Sequence, residues 1–140
     1  MGVGFDALSP QETLERATEL AGAEGCRYVV TPNPEIVWLA RKQPKLMEAL
    51  NQADLVVPDG IGIVYAAKIL GKPIPARIPG IELAAGLLKH MAQSGESVYL
   101  LGAKPGVAER AAERLCEQYP GLRIAGTGDG YFREDEPVIE

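Results

Sequence analysis

The chain alternates short apolar runs with helix-forming segments along its whole length. The apolar runs predict strands at residues 3–5, 27–31, 55–57, 97–101 and 122–125. Amphipathic segments between them predict helices at residues 10–21, from 34, 45–51, 61–70, 81–93 and 106–118. Because strands separated by helices form βαβ units, we predict an α/β fold with a Rossmann-like parallel sheet of about five strands flanked by helices.

Length and composition exclude several classes of protein. The 140 residues fit one domain with a substantial core, and the net charge of −5 with scattered Lys and Arg residues argues against a nucleic-acid partner. No apolar run approaches the roughly 18 residues that span a bilayer, so we expect a soluble, cytosolic protein. Cys26 and Cys116 lie outside any Cys-x-x-Cys pair, and we expect both to be reduced, buried thiols.

Local signals refine the element pattern. Ser9 and Glu12 form a predicted capping box at the first helix. The proline-rich residues 72–80 exclude a helix or a central strand, so we predict a loop that moves. We expect Trp38 to pack on a buried helix, whereas His90, the lone histidine, has no partner at metal-ligand spacing. We therefore predict no metal site.

Polar side chains follow two of the predicted strands. Asp59 comes directly after the apolar run that ends at Pro58, and in open α/β sheets ligands bind at the carboxyl ends of strands. Asp59 is therefore a candidate acid or base, with the N-cap of the next helix as the alternative. Thr31 should point its hydroxyl into the same crevice. Asn33 either contacts a ligand there or caps the helix that begins at Pro34.

Two glycine-bearing turns follow the last two predicted strands. Gly102, Lys104 and Gly106 lie in a strand-to-helix turn whose N–H groups and helix dipole suit a phosphate, although an ordinary turn is the alternative. Gly128 and Asp129 lie in a second turn, where alternating glycines allow the backbone to approach a ligand closely. Asp129 either contacts that ligand or serves only as a turn residue.

Arg77 stands between Pro75 and Pro79 in the proline-rich loop. Packing explains an arginine poorly at this position, whereas a guanidinium forms strong charged hydrogen bonds with phosphate oxygens. We therefore predict that Arg77 grips a diphosphate. A solvated loop arginine is the alternative.

Taken together and in order, these motifs resemble the bacterial WecG/TagA/CpsF glycosyltransferase family. The resemblance covers essentially the whole chain and rests on Thr31-Pro32-Asn33-Pro34-Glu35, Pro58-Asp59-Gly60-Ile61-Gly62, Arg77-Ile78-Pro79-Gly80-Ile81-Glu82-Leu83, Leu101-Gly102-Ala103-Lys104-Pro105-Gly106-Val107 and Asp129-Gly130-Tyr131-Phe132. It implies transfer of N-acetylmannosamine from a UDP donor to a polyprenyl-diphosphate-linked N-acetylglucosamine, with inversion and without a required metal or other cofactor.

The resemblance also implies roles for single residues. Asp59 matches the aspartate proposed as base, Thr31 and Asn33 match a polar substrate loop, and Arg77 matches the arginine of the substrate loop. Glu82 departs from the family pattern, in which many members carry Asp, so no role is assigned to it.

The resemblance further implies a longer protein. Family members continue past the Gly-Tyr-Phe motif with further βα units and a membrane-associating tail. We therefore expect a C-terminally truncated domain that contacts the cytoplasmic face of the cell membrane through a segment missing here. An apolar face left uncovered should make the chain a homo-oligomer.

Two other classes of protein share some of these sequence features. A phospho-accepting receiver domain needs an acidic pair after its first strand, where this chain has Asp6 without an acidic neighbour. A non-catalytic nucleotide-sugar binding module fits the same motifs. It remains the alternative to an enzyme.

Overall fold

A computed structural model of the chain describes residues 2–131, which form parts of two compact units, Met1–Leu87 and Leu88–Glu140. The described helices are α1 Pro10–Ala21, α2 Pro34–Ala40, α3 Pro44–Asn51, α4 Ile61–Ile69, α5 Gly80–Ser94 and α6 Val107–Gln118. The described strands are β1 Val29–Val30, β2 Leu55–Val56, β3 Ser97–Leu101 and β4 Arg123–Gly128. Phe132, which ends the last quoted motif, lies outside the described residues.

The strands form two separate parallel pairs. In the first unit β1 pairs with β2, with Val29 opposite Leu55. In the second unit β3 pairs with β4, and the register shifts between Val98 and Tyr99. The predicted α/β class with parallel pairing is confirmed. The predicted single sheet of about five strands is wrong for the described residues, which form two sheets of two strands each.

The segment at residues 3–5 is not a strand, because a side chain replaces part of the expected ladder. The Asp6 N–H donates to the Val56 carbonyl at 3.0 Å, but the Val56 N–H donates to the Asp6 carboxylate at 2.8 Å. The segment therefore lies beside β2 without extending the sheet. Val3 is buried, so its apolar character reflects core packing rather than strand pairing.

The core of the first unit lies on both sides of β2. Val56 belongs to one apolar cluster, and Leu55 and Val57 belong to another, because successive side chains of a strand point to opposite faces. The first cluster also contains Val3, Val37, Ala40, Leu50, Ile63, Ala67 and Ile74, and the second contains Ala17, Leu20, Ile78 and Leu83. Helices thus cover both faces of β2, as a parallel strand requires.

The capping box predicted at α1 is confirmed. The Ser9 hydroxyl accepts a hydrogen bond from the Glu12 N–H at 3.3 Å, and the Ser9 N–H donates to the Glu12 carboxylate at 2.8 Å. The Ser9 side chain, and after it the Ser9 backbone N–H, lower the pKa of Glu12 below its ordinary value of 4.5. Both groups favour the charged carboxylate.

Three residues are more exposed than expected from their residue types. Trp38 is 58% exposed rather than packed, and the Lys42 ammonium lies 3.6 Å from the centre of its ring. Cys26 and Cys116 form no disulfide, but both are exposed rather than buried.

None of the helices within residues 2–131 has the length and apolar composition needed to cross a membrane.

Candidate active site

Three segments of the first unit meet just beyond the carboxyl ends of β1 and β2. The Asp59 N–H donates to the Pro32 carbonyl at 3.4 Å, which joins the segments that follow the two strands. The Ile78 N–H donates to the Pro58 carbonyl at 2.8 Å and adds the segment that precedes α5. The loops that carry Thr31 and Asp59 thus meet, as expected from their positions after β1 and β2, and the segment of Ile78 joins them.

The Asp59 carboxylate does not cap α4. Gly60 is the N-cap of that helix, and no side chain bonds to its first turn. The Asp59 side chain is half-buried, and its Oδ2 atom accepts one long hydrogen bond, from the Gly80 N–H at 3.4 Å. The helix-cap alternative for Asp59 is therefore wrong. Its role as an acid or base stays a prediction.

Thr31 and Gly80 complete the surroundings of this carboxylate. A Cβ atom added to Gly80 would lie 2.9 Å from the Thr31 Oγ1 atom, closer than real Cβ contacts. Gly80 therefore allows α5 to begin directly against the end of β1. The Thr31 hydroxyl is half-buried and forms no hydrogen bond with another described residue, which leaves it available to a ligand.

Asn33 caps α2. Its Oδ1 atom accepts a hydrogen bond from the Ile36 N–H at 2.9 Å, which confirms the cap interpretation. The Asn33 amide nitrogen forms no hydrogen bond with another described residue. Any contact with a ligand would therefore come from that nitrogen.

Arg77 lies on an anchored loop. Ile74 and Ile78 are 8% and 3% exposed, so both ends of the segment around Arg77 are held in the core. The Arg77 side chain is exposed, and it forms no hydrogen bond or ion pair with another described residue. The predicted movement of the loop at residues 72–80 stays a prediction.

The second unit brings the two glycine-bearing turns together. The Gly102 N–H donates to the Gly128 carbonyl at 2.9 Å, and the Gly130 N–H donates to the Ala103 carbonyl at 2.9 Å. The Gly102 N–H is thus occupied, so a phosphate at this turn would have to be contacted by its other N–H groups. Asp129 accepts the Tyr131 N–H at 2.8 Å, as a turn residue does.

Gly106 and Lys104 complete the predicted set in the second unit, with Gly106 half-buried and Lys104 exposed. Gly106 adopts a left-handed conformation, with φ of 81°, immediately before α6. Lys104 is exposed and has no ion-pair partner among the described residues. The substrate roles of Gly102, Lys104, Gly106, Gly128 and Asp129 stay predictions.

A groove of about 610 Å³ in the first unit does not include Asp59. Its lining comes from residues 2–5 and Ala7 of the N-terminal segment and from Ala67, Leu70 and residues 72–74. Asp59 instead lies half-buried where the three loops meet. Within the described residues, no three His, Cys, Asp or Glu side chains are grouped to hold a metal ion.

Gly80 is the site residue to which sequence reasoning assigned no role. The sequence shows Gly80 next to Pro79, directly before a predicted helix. Its contact with Thr31 depends on packing between distant segments, which the sequence does not show. The signal that could have indicated a close approach is a glycine at a helix start directly after a proline-rich loop.

Comparison with known proteins agrees with the motifs. The model of the Glycosyl transferase WecG/TagA/CpsF family matches residues 1–140. A Bacillus spizizenii protein named N-acetylglucosaminyldiphosphoundecaprenol N-acetyl-beta-D-mannosaminyltransferase is 38% identical over 113 residues, which cover 81% of this chain and 44% of the relative.

A Staphylococcus aureus protein (strain NCTC 8325 / PS 47) with the same name is 35% identical over 142 aligned residues, which cover 100% of this chain and 56% of the relative. The chain thus spans about half the length of the curated relatives it matches. Since the family model covers every residue, the chain belongs to the WecG/TagA/CpsF glycosyltransferase family.

Proposed function

We propose that this protein is an inverting glycosyltransferase of cell-wall or surface polysaccharide assembly. It moves N-acetylmannosamine, or a related hexosamine, from a UDP donor to a polyprenyl-diphosphate-linked N-acetylglucosamine. The observation that carries the proposal is the Asp59 carboxylate, which does not cap the helix that follows it and makes one long contact, with the Gly80 N–H beside Thr31. Family membership and the names of the relatives support the reaction class.

The chemistry needs a base on the acceptor side. In an inverting transfer, the acceptor hydroxyl oxygen bonds to the anomeric carbon while the bond from that carbon to the diphosphate oxygen breaks. The hydroxyl proton must leave as the new bond forms, and we assign it to the Asp59 carboxylate. Thr31 and the Asn33 amide nitrogen are assigned to orient sugar hydroxyls, because both groups lack partners among the described residues.

The departing UDP needs positive charge. We assign that role to Arg77, whose guanidinium is exposed next to the anchored Ile78. Gly102, Lys104, Gly106, Gly128 and Asp129 of the second unit are proposed as further donor contacts. Lys104 supplies a point charge there, and the backbone of the glycines allows close approach.

The location of the reaction follows from the proposed acceptor. A polyprenyl chain stays in the bilayer, so the enzyme would work in the cytoplasm at the inner face of the cell membrane. Self-association of the chain, expected from its sequence, is part of the same proposal. The relatives' names mention undecaprenol, which is consistent with a lipid-linked acceptor.

A non-catalytic nucleotide-sugar binding module is the second candidate. The observation that favours it is the exposure of Arg77 and Lys104, which would bind a diphosphate whether or not sugar is transferred. Such a module would bind UDP but transfer no sugar.

One pair of measurements separates the two functions. The protein is incubated with UDP-N-acetylmannosamine and a soluble lipid-diphosphate N-acetylglucosamine analogue, and mass spectrometry follows the disaccharide. NMR spectroscopy then compares the anomeric configuration of product and donor. We expect a disaccharide of inverted configuration. UDP binding by calorimetry without any disaccharide would establish the binding module instead.

A further inference from the structure

Helix α4 is apolar on its exposed face as well as on its buried face. Ile63 and Ala67 are 2% and 4% exposed and pack in the core. On the other side Ile61, Tyr65 and Ile69 are 53%, 61% and 85% exposed, and their spacing of four residues aligns them along the helix. A helix that is apolar all round normally has both faces covered, so a partner is expected on this one.

The segment around α4 has an unusual balance of charge. The chain contains 19 acidic and 14 basic residues, yet residues 60–81 carry Lys68, Lys72 and Arg77 and no Asp or Glu. All three basic side chains are exposed. Lys68 follows Tyr65 by three residues and Ile61 by seven, so it lies on the exposed apolar face of α4. The partner should therefore be apolar and anionic.

The exposed apolar surface continues onto α2. Trp38 and Leu39 are 58% and 39% exposed, and with Pro34 and Glu35 they line a groove of about 510 Å³. Pro34 also packs against the start of α4, where a Cβ added to Gly62 would lie 3.0 Å from its Cγ atom. Glu35 is the one carboxylate in the lining of this groove.

We propose that the exposed face of α4, formed by Ile61, Tyr65, Lys68 and Ile69, docks this unit on the surface of an anionic lipid bilayer. Aliphatic side chains enter the acyl boundary, and Tyr and Trp rings are enriched at the level of the headgroups. Lys68 buries its stem and keeps its ammonium among the lipid phosphates.

The charges favour a bilayer over a second copy of the chain. A two-fold interface places the same patch against itself, so Lys68 would face the Lys68 side chain of the other copy. Residues 60–81 contain no carboxylate that would neutralise them. An anionic bilayer instead supplies both the apolar layer and the negative charge.

Docking through α4 also fits the candidate active site. Helix α4 begins at Ile61, two residues after Asp59, so a docked α4 holds the Asp59 carboxylate near the membrane surface. The inference goes beyond the proposed function, because binding to lipid vesicles requires neither a sugar donor nor transfer. Failure of vesicle binding is therefore distinguishable from failure of sugar transfer.

Vesicle sedimentation tests the proposal. The protein is mixed with vesicles of phosphatidylcholine, with or without phosphatidylglycerol, at low and high salt. We expect binding to the anionic vesicles that weakens at high salt. Lys68→Gln with Lys72→Gln should weaken it about 25-fold, since each basic residue near the surface contributes about fivefold. Ile69→Ser should weaken binding at both salt concentrations.

Two controls remove similar groups elsewhere. Lys89→Gln with Arg114→Gln removes two exposed positive charges from the second unit, and Val107→Ser removes an exposed apolar side chain at the start of α6. Both should bind vesicles like the wild type. Thermal melts establish that each variant is folded.

Three results would overturn the proposal. They are the absence of binding to anionic vesicles, equal losses in the α4 variants and the controls, and a dimer that Ile69→Ser converts to a monomer. The last would assign the exposed face of α4 to a second copy of the chain.

Discussion

Asn33 and Asp59 follow neighbouring strands of the first unit, yet only Asn33 caps the helix after it. Pro34 begins α2 directly after Asn33, so the amide oxygen reaches the Ile36 N–H. Gly60 separates Asp59 from α4, and its φ of 107° places the chain in a conformation that L residues rarely adopt. The carboxylate therefore accepts the N–H of Gly80, the first residue of α5, instead of an N–H of α4.

Arg77 supplies a prediction about donor binding. Replacing it with Ala should weaken UDP binding by roughly 1.5 to 3 kcal/mol if the guanidinium bonds to a phosphate. The free energy of unfolding should barely change, because the side chain is exposed and has no described partner. Calorimetry measures the affinity, with Arg16→Ala on α1 as the control. Unchanged UDP affinity in Arg77→Ala would remove this residue from the site.

Gly80 tests the contact that brings β1 and α5 together. An Ala side chain there would collide with the Thr31 hydroxyl, so Gly80→Ala should lower the free energy of unfolding by about 1 to 3 kcal/mol. Adding Thr31→Ala should recover part of that loss, because the nearest atom is removed. Urea denaturation of the four proteins of this cycle measures the coupling. Purely additive effects would show that the two residues do not touch.

At the scale of elements, helices were more predictable than strands. Ser9 with Pro10 marks the start of α1, and Gly22 follows its end, so local signals define that helix. The predicted strand at residues 3–5 failed because the Asp6 carboxylate accepts the Val56 N–H, a long-range contact that no local pattern contains. The exposed face of α4 was equally hidden, because an apolar helix has no pattern that separates its two sides.

The capping box of α1 supplies a prediction about pH. Because the folded pKa of Glu12 lies below 4.5, its carboxylate stabilises the fold above the unfolded pKa. That contribution is lost as the pH falls through the folded pKa. NMR titration of Glu12 should show the lowered value. In Ser9→Ala the pKa should return toward 4.5, and a value already ordinary in the wild type would contradict the capping box.

At the scale of the whole molecule, the two units differ in their cores. Both apolar clusters lie in the first unit, whereas the buried apolar residues described in the second are Ala108, Ala112 and Leu122. No residue of β3 or β4 is buried, although parallel sheets normally have both faces covered. The motifs predicted the strands of this unit, but the thin core depends on packing that they do not describe.

The thin core predicts uneven protection from hydrogen exchange. Amides of β3 and β4 should exchange faster than those of β1 and β2, because fewer buried contacts oppose local opening. Hydrogen exchange followed by mass spectrometry measures both sets in one experiment. The exposed segment at residues 24–27 serves as the fully exchanging control. Equal protection of the two strand pairs would contradict this difference in local stability.

Turnover of Asp59→Asn tests the central claim most directly. An amide keeps the shape of the carboxylate and still accepts the Gly80 N–H, but it cannot take the acceptor proton. Asp54→Asn, at the other end of β2, is the matched control. Steady-state transfer to a soluble lipid-diphosphate acceptor analogue is measured for both variants, together with UDP affinity and melting temperature.

We predict that Asp59→Asn lowers turnover by roughly 10² to 10⁴, while UDP affinity and melting temperature stay near those of the wild type. Asp54→Asn should retain its turnover. Wild-type turnover in Asp59→Asn would contradict the assignment of Asp59 as the base, and so would a loss of activity fully explained by a lowered melting temperature.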